Sequence, residues 1–470
     1  MLKSKLSARF IKYLPDLLIL GLISLLSPLY FYKLSQSSLS SWDEAWYGEI
    51  SRNILESGNF LLLSWNGVVY ADHPPFGFWI IALFEGILGT NELGVRAGSA
   101  VFGLLGLFFT YLLGKALFSR SVGLASALAL SSAYWYLFRA RSGNLDIFLT
   151  CLFVSTLYFA VKASKNNKFL IPFSVSAALL FLSKSLIPLT IIPALIIIFL
   201  GSKMSLKILI KPILVFLLIT TPWVLAQLWY SPNVFLRYLK IGTPGVGEKT
   251  DYLANFKLVK EYLHNGIGKW FWLGVLGVLA GPLTLNKSLI VLTVFCLTFF
   301  IPFTLSNKGH IWHLVPLYPF MILSFFGFLY ISSKKFSSVF FKRYLGAFNI
   351  LTTIGMLLIS VYYSQLQIKR SWYEFIDIPP YISDEAILST KASVFPHKFY
   401  IDGPDFTPAA VFYSNKNVTL LPNGGIKRLL EGEEEFVLIT NQWRLDLFKI
   451  PKEKYKIIAS DRDKILVTRR

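Results

Sequence analysis

The sequence predicts an all-α polytopic membrane bundle with a small α/β domain at its C-terminal end, and three observations predict it. Of 470 residues, 54% are hydrophobic and 16% aromatic, beyond the roughly 45–50% apolar share of soluble domains. Apolar runs such as Leu17–Tyr32, Val101–Leu117 and Ile213–Trp229 approach or reach the ~20 residues that a helix needs to cross about 30 Å of hydrocarbon. After residue 365 charges, Pro and Gly enter, and short β-like runs recur at Ala409–Tyr413, Val418–Leu421, Phe436–Thr440, Tyr455–Ala459 and Ile465–Thr468. The chain therefore divides into a membrane unit, 1–364, and a C-terminal unit, 365–470.

Two classes of protein fall away. A net charge of +20 would suggest nucleic acid in a soluble chain. Here the cations stand in short clusters between apolar runs, the pattern of membrane orientation and anionic headgroups, and no nucleic-acid module stands out. Cys151 and Cys296 both lie inside apolar runs, which argues against a disulfide framework or a cysteine metal site.

Each element follows from asking which assignment puts the Lys/Arg clusters on one side. The basic start (Lys3, Lys5, Arg9, Lys12) stays inside and leads into an uncleaved span at 13–34, since no A-x-A site follows it. Residues 35–94 form an external loop, in which the apolar piece 76–89 is too short to cross and reads as re-entrant or interfacial. Spans at 95–117 and 121–138 flank the inner turn Lys115–Arg120, which leaves the turn Arg139–Asp146 outside. A span at 147–162 returns to Lys162, Lys165 and Lys168. Then 169–183 and 186–200 form an outward and inward pair with Lys184 at the outer bend and Lys203, Lys207 and Lys211 beyond it. The span 212–230 leads to an external loop, 231–268, and two more spans bracket Asn286–Lys287. Spans at 314–331 and 340–363 enclose the inner cluster Lys334, Lys335, Lys342 and Arg343. The result is eleven crossings plus one interfacial piece, with the C-terminal unit outside. Counting 76–89 as a full span would put several basic clusters on the outer side.

This topology gathers Asp43, Glu44, Asp72, His73, Asp146, Lys184, His264, Lys308, His310 and His313 in external segments. Each has a plain structural reading as well. Asp43 reads as a helix N-cap. Pro74-Pro75 reads as a helix start at the membrane surface, although Asp72 and His73 beside it also suit a metal or a phosphate. Asp146 reads as a cap at the head of a span, while Arg139 and Arg141 suit phosphate oxygens. Lys184 either snorkels or serves a function, since ionisable groups among apolar runs are costly. The basic, aromatic turn Asn307–Pro319 reads as an interface belt or as a cradle for a lipid phosphate.

In order, these residues resemble the GT-C membrane glycosyltransferases, above all the bacterial aminoarabinose transferases and the protein O-mannosyltransferase superfamily. The likeness rests on Asp43-Glu44 followed by Tyr47, Pro74-Pro75 before Trp79, Ala140-Arg141 before Asp146, the bend Leu182-Ser183-Lys184, and Lys308 and His310 before Leu314-Val315-Pro316-Leu317-Tyr318-Pro319. It runs over about residues 40–330. The resemblance implies an inverting transfer of a sugar from a polyprenyl-phosphate donor, of the undecaprenyl or dolichyl type, to a hydroxyl of a lipid, protein or glycan. It also implies an active site on the extracytoplasmic face of a bacterial inner membrane and no required cofactor. Asp43 would be the general base with Glu44 beside it, and Asp146 the second-loop acid. Tyr47, His73, Arg141, Lys184, Lys308, His310 and Tyr318 would bind substrate. The chain departs from the pattern at Asp72-His73, where the aminoarabinose enzymes usually carry Glu-Lys. That departure opens a divalent metal site, such as zinc, shared by Asp72 and His264. A transporter or flippase for a lipid-linked saccharide is the alternative; it needs ionisable groups at the midplane or repeated halves, and the runs carry mostly surface charges and no repeat. The transfer chemistry itself needs a base on one side of the anomeric carbon and cations for a leaving phosphate on the other.

Overall fold

The computed structural model describes residues 2–184, 186–200, 206–233, 251–305, 310–340, 345–422 and 424–470. Helix α1 (Leu2–Phe31) leads into a connection that carries α2 (Asp43–Ser57), the hairpin β1 (Leu63–Trp65) and β2 (Val68–Tyr70), and α3 (Phe76–Leu88). Asn66 and Gly67 both take positive φ between the two strands, the two-residue Asn-Gly turn that matches strand twist. The bundle continues through α4 (Glu92–Leu117), α5 (Arg120–Ser131), α6 (Tyr134–Ala140), α7 (Asp146–Ala163), α8 (Leu170–Phe181), α9 (Ile192–Phe199) and α10 (Leu206–Tyr230). Further helices are Tyr252–Ile267, Phe271–Ala280, Lys287–Thr304, Tyr318–Phe340 and Leu345–Trp372.

Among the described residues, seven helices are long and apolar enough to cross a membrane, and the bent pair α5–α6 would make an eighth. Shorter apolar helices, α3 among them, accompany these spans. Two expectations change. The run 121–138 is not one helix: it bends by 73° between α5 and α6. The reason is the use made of the break, where the Ser132 hydroxyl accepts from Trp270 Nε1 at 2.9 Å and from Gln367 Nε2 at 3.2 Å. The expected loop 231–268 is helical from Tyr252 onward, capped by Asp251, whose side chain accepts from the amides of Leu253 and Ala254.

Close packing around α4 and α7 places the site. Small residues let membrane helices approach: a side chain at Gly103 would strike Tyr30 and Ala140, and one at Gly106 would strike the Tyr136 hydroxyl. Helix α7 is buried over 83% of its span, so Asp146 at its head stands at the centre of the bundle rather than at a lipid face.

The membrane helix Leu345–Trp372 and the turn Tyr373–Asp377 run past the expected limit at 364. Beyond them, β3 (Lys398–Ile401), β4 (Val418–Leu420), β5 (Phe436–Asn441), β6 (Tyr455–Asp461) and β7 (Lys464–Arg469) form a sheet of order β4-β3-β5-β7-β6. β3 is parallel to β4 and β5, and β7 is antiparallel to β5 and β6. The expected strand Ala409–Tyr413 is instead inside a helix, Thr407–Ser414, with Pro408 in its first turn and Asn415 left-handed at its end. Its apolar run is buried all round because it lies between the sheet and α2. Arg52 donates to the Phe412 carbonyl at 3.0 Å, and the Tyr413 hydroxyl accepts from Leu39 N at 2.7 Å and donates to Glu92 at 2.8 Å.

Candidate active site

Four charged side chains form a line from the surface into the bundle. Arg139 donates to Asp43 Oδ2 at 2.7 Å and to Asp146 Oδ2 at 2.8 Å, and Lys184 donates to the other oxygen of Asp146. Only the outer member is open: the Asp43 side chain is 26% exposed, against 6% for Arg139, 2% for Asp146 and 8% for Lys184. The sequence brings these four together from two turns and one helix start.

The turn 139–146 is built by Asn144 and Gly143. The buried Asn144 amide donates to the carbonyls of Arg139 and Ser142, and its oxygen accepts from the amides of Asp146 and Ile147 at 2.9 and 3.2 Å. That arrangement closes the turn and satisfies the first amides of α7. A side chain at Gly143 would come within 2.4 Å of Val95. The Lys184 bend is tied to α3, because Phe76 N, the first amide after Pro74-Pro75, donates to Leu182 O at 3.0 Å.

Glu44, next to Asp43, has a different fate. Its two oxygens take Arg96 at 2.7 and 2.8 Å, Ser40 N at 2.9 Å and Gly143 N at 2.8 Å. Burial pushes its carboxyl upward, but the Arg96 guanidinium outweighs burial and holds the group below its ordinary value. It is a saturated strut between α2, α4 and the 139–146 turn, so the expected catalytic role does not fit it.

Aromatic groups wall the cluster. Tyr47 is buried one turn along α2, edge-on to Phe78 at 5.4 Å and tilted against His73 at 6.1 Å. Burial first, and the charge of Asp43 next, raise the Tyr47 hydroxyl well above its ordinary value, which keeps it a neutral donor. Burial and then the Lys184 ammonium hold the His73 imidazole below its ordinary value, hence neutral at pH 7. His310 stacks on Trp312 at 4.6 Å, and Trp312 lies 5.6 Å from the Arg139 guanidinium.

Other predicted residues are elsewhere. Arg141 turns away from the carboxylates: it donates to the carbonyls of Leu29, Tyr32 and Phe375. Burial and the neighbouring Arg96 lower it to about 10. Tyr318 is fully buried against Gly266, where any side chain would collide with its hydroxyl, so it packs helices rather than meeting substrate. Lys308 lies outside the described residues. Arg139, read from the sequence as a candidate phosphate ligand, instead holds Asp43 and Asp146; His313, gathered among the external residues without a role, feels the charges of Lys184 and Asp146, and Asn144, to which the sequence reading gave no role, closes the turn.

A divalent metal at Asp72 and His264 finds no support in the donor set. His264 is exposed and stands against Phe271 and Trp272 at 4.9 and 6.3 Å. Among the described residues no group of three or more His, Cys, Asp or Glu side chains could hold a metal ion.

Residues 72–230 match the family model described as dolichyl-phosphate-mannose-protein mannosyltransferase. An uncharacterized protein of Aquifex aeolicus is 34% identical over 131 residues, 28% of this chain and 26% of that one. The undecaprenyl phosphate-alpha-4-amino-4-deoxy-L-arabinose arabinosyl transferase 1 of Pseudomonas fluorescens is 36% identical over 141 residues, 29% of this chain and 25% of that one. The matches thus span about a quarter of the length of these relatives. In structure, ArnT from Cupriavidus metallidurans bound to undecaprenyl phosphate superposes with a TM-score of 0.72 at 14% identity, covering 96% of this chain and 97% of that one. The Archaeoglobus fulgidus oligosaccharyltransferase superposes with a TM-score of 0.61 at 12% identity, covering 92% and 70%. The resemblance read from the motifs therefore recurs in sequence over residues 72–230 and in fold over nearly the whole chain, which shares the fold of ArnT and, less closely, of the oligosaccharyltransferase.

Proposed function

We propose that the chain is an inverting glycosyltransferase that moves a sugar from a polyprenyl-phosphate donor to a hydroxyl acceptor on the extracytoplasmic face of the membrane. The observation that carries this reading is the half-open Asp43 carboxylate at the mouth of the otherwise buried line Arg139–Asp146–Lys184. Asp43 keeps one oxygen free of Arg139, and that oxygen takes the proton of the acceptor hydroxyl. The acceptor oxygen then attacks the anomeric carbon, the bond from that carbon to the phosphate oxygen breaks, and the carrier leaves as its phosphate. Lys184 spends one N–H on Asp146 and has two more for that phosphate. Arg139 fixes the distance between the base and the inner acid.

The relatives support the donor class by their own names: one acts from undecaprenyl phosphate-aminoarabinose, and ArnT was seen with undecaprenyl phosphate bound. The test is transfer of radiolabelled sugar from a synthetic polyprenyl-phosphate donor by the purified protein, with a membrane extract as acceptor source. Label should enter an extractable acceptor only when protein and donor are both present. Donor that stays intact under all acceptor extracts would reject the reading.

A further inference from the structure

Among the described residues, each of the three buried arginines has a carboxylate: Arg52 has Glu49, Arg96 has Glu44, and Arg139 has Asp43 and Asp146. Arg141, half-buried, has none among the described residues; its guanidinium rests on three backbone carbonyls and the Phe375 ring, 5.3 Å away. Lys33, just past the end of α1, is in the same condition, donating to the Ile376 carbonyl and to no carboxylate among the described residues. Both cations line one cavity of about 290 Å³, together with Ser37, Arg96, Ser142 and Tyr381. The two acids on its wall are already spoken for, Glu44 by Arg96 and Glu374 by Arg370.

The cavity wall thus carries three cations against two acids, and Lys33 and Arg141 have no acid within ion-pair distance among the described residues, in walls of low dielectric that strengthen their field. Partly buried charge is costly without a counter-charge. A guanidinium fork beside an ammonium suits the oxygens of a phosphate. The volume stands at the lower edge of the ~300–1,000 Å³ typical of small-ligand pockets, so it admits a headgroup and not a lipid's chains. Its place fits as well, because α1 and the helix Leu345–Trp372 both end beside it.

We propose that this cavity is an anion site that takes a phosphate group, separate from the Asp43 cluster, and that the bound anion ties the end of α1 to the 139–146 turn and to the connector before the C-terminal domain. The phosphate belongs either to an anionic phospholipid of the surrounding bilayer or to a soluble phosphate compound. The inference does not depend on the transfer reaction, since its readout is binding.

The experiment uses the full chain in phosphatidylcholine nanodiscs and follows thermal unfolding in two arms, one titrated with inorganic phosphate and one with phosphatidylglycerol added to the disc. Saturable stabilisation is expected, with Lys33→Gln and Arg141→Gln each weakening it about tenfold, as loss of a charge-assisted hydrogen bond implies. Stabilisation in the phosphatidylglycerol arm alone identifies a lipid headgroup; stabilisation in both identifies the phosphate group itself. Lys33→Gln, which removes one backbone contact, carries the test if Arg141→Gln does not fold. No stabilisation in either arm, or equal stabilisation of wild type and variants, overturns the proposal.

Discussion

Asp43 and Glu44 are consecutive acids in the first turn of one helix, and their surroundings divide them completely. Glu44 accepts four hydrogen bonds and is 6% exposed. Asp43 accepts one from Arg139 and opens toward solvent. The position favours both equally, since carboxylates are stabilised at helix N-termini. What separates a strut from a reagent is unused acceptor capacity together with access.

The widest break between the two should appear in stability. Glu44→Gln leaves the Arg96 guanidinium buried without its counter-charge and should cost about 3–5 kcal/mol, seen as a large drop in unfolding temperature. Asp43→Asn should cost less, about 1 kcal/mol, because Arg139 keeps Asp146 as its counter-charge and Asp43 is the solvent-facing member of the pair. Equal losses would erase the distinction. Next in size, Arg139→Lys keeps the charge, but its chain is one bond shorter and cannot set a nitrogen where Arg139 Nη2 meets both Asp43 and Asp146; a base displaced by an ångström costs about 10²-fold in rate, read as a fall in kcat at saturating donor.

A third prediction concerns the side of the membrane. Cys151 and Cys296 are buried, so a cysteine placed at Val394, 78% exposed on the C-terminal domain, should react with an impermeant maleimide in intact cells. Labelling only after lysis would turn the topology over. The smallest effect is in pH. Burial and Lys184 depress His73 below its ordinary 6.5, so the unfolded chain binds the extra proton first. Its contribution is full above about pH 6.5 and falls as pH drops below it. Stability of His73→Gln measured against pH should therefore decline less steeply between pH 6.5 and 5 than that of wild type.

Much of this was legible from the residues, and the failures have physical causes. Apolar runs declared the helices because burial in lipid needs them, and Asp43, Asp146 and Lys184, which the structure brings into one hydrogen-bonded line, stood out because a charge beside an apolar run needs a reason. Arg139 and Arg141 were harder. Two positions apart on a helical turn, they point about 200° apart, and which of them faces the acids depends on where α6 ends. Asn144 and Gly143 were unmarked because their work is in backbone bonds and a close approach to Val95. The kink at Ser132 lacks Pro and Gly, so the run through it looked continuous. The helix Thr407–Ser414 resembled a strand because an apolar run buried on every side carries no period of its own.

The most direct measurement is single-turnover transfer by Asp43→Asn with labelled polyprenyl-phosphate donor, on protein shown to be folded and to bind donor normally. Loss of a positioned general base predicts a rate lower by about 10²–10⁴-fold with donor affinity unchanged. A variant that turns over at close to the wild-type rate would contradict the assignment of Asp43.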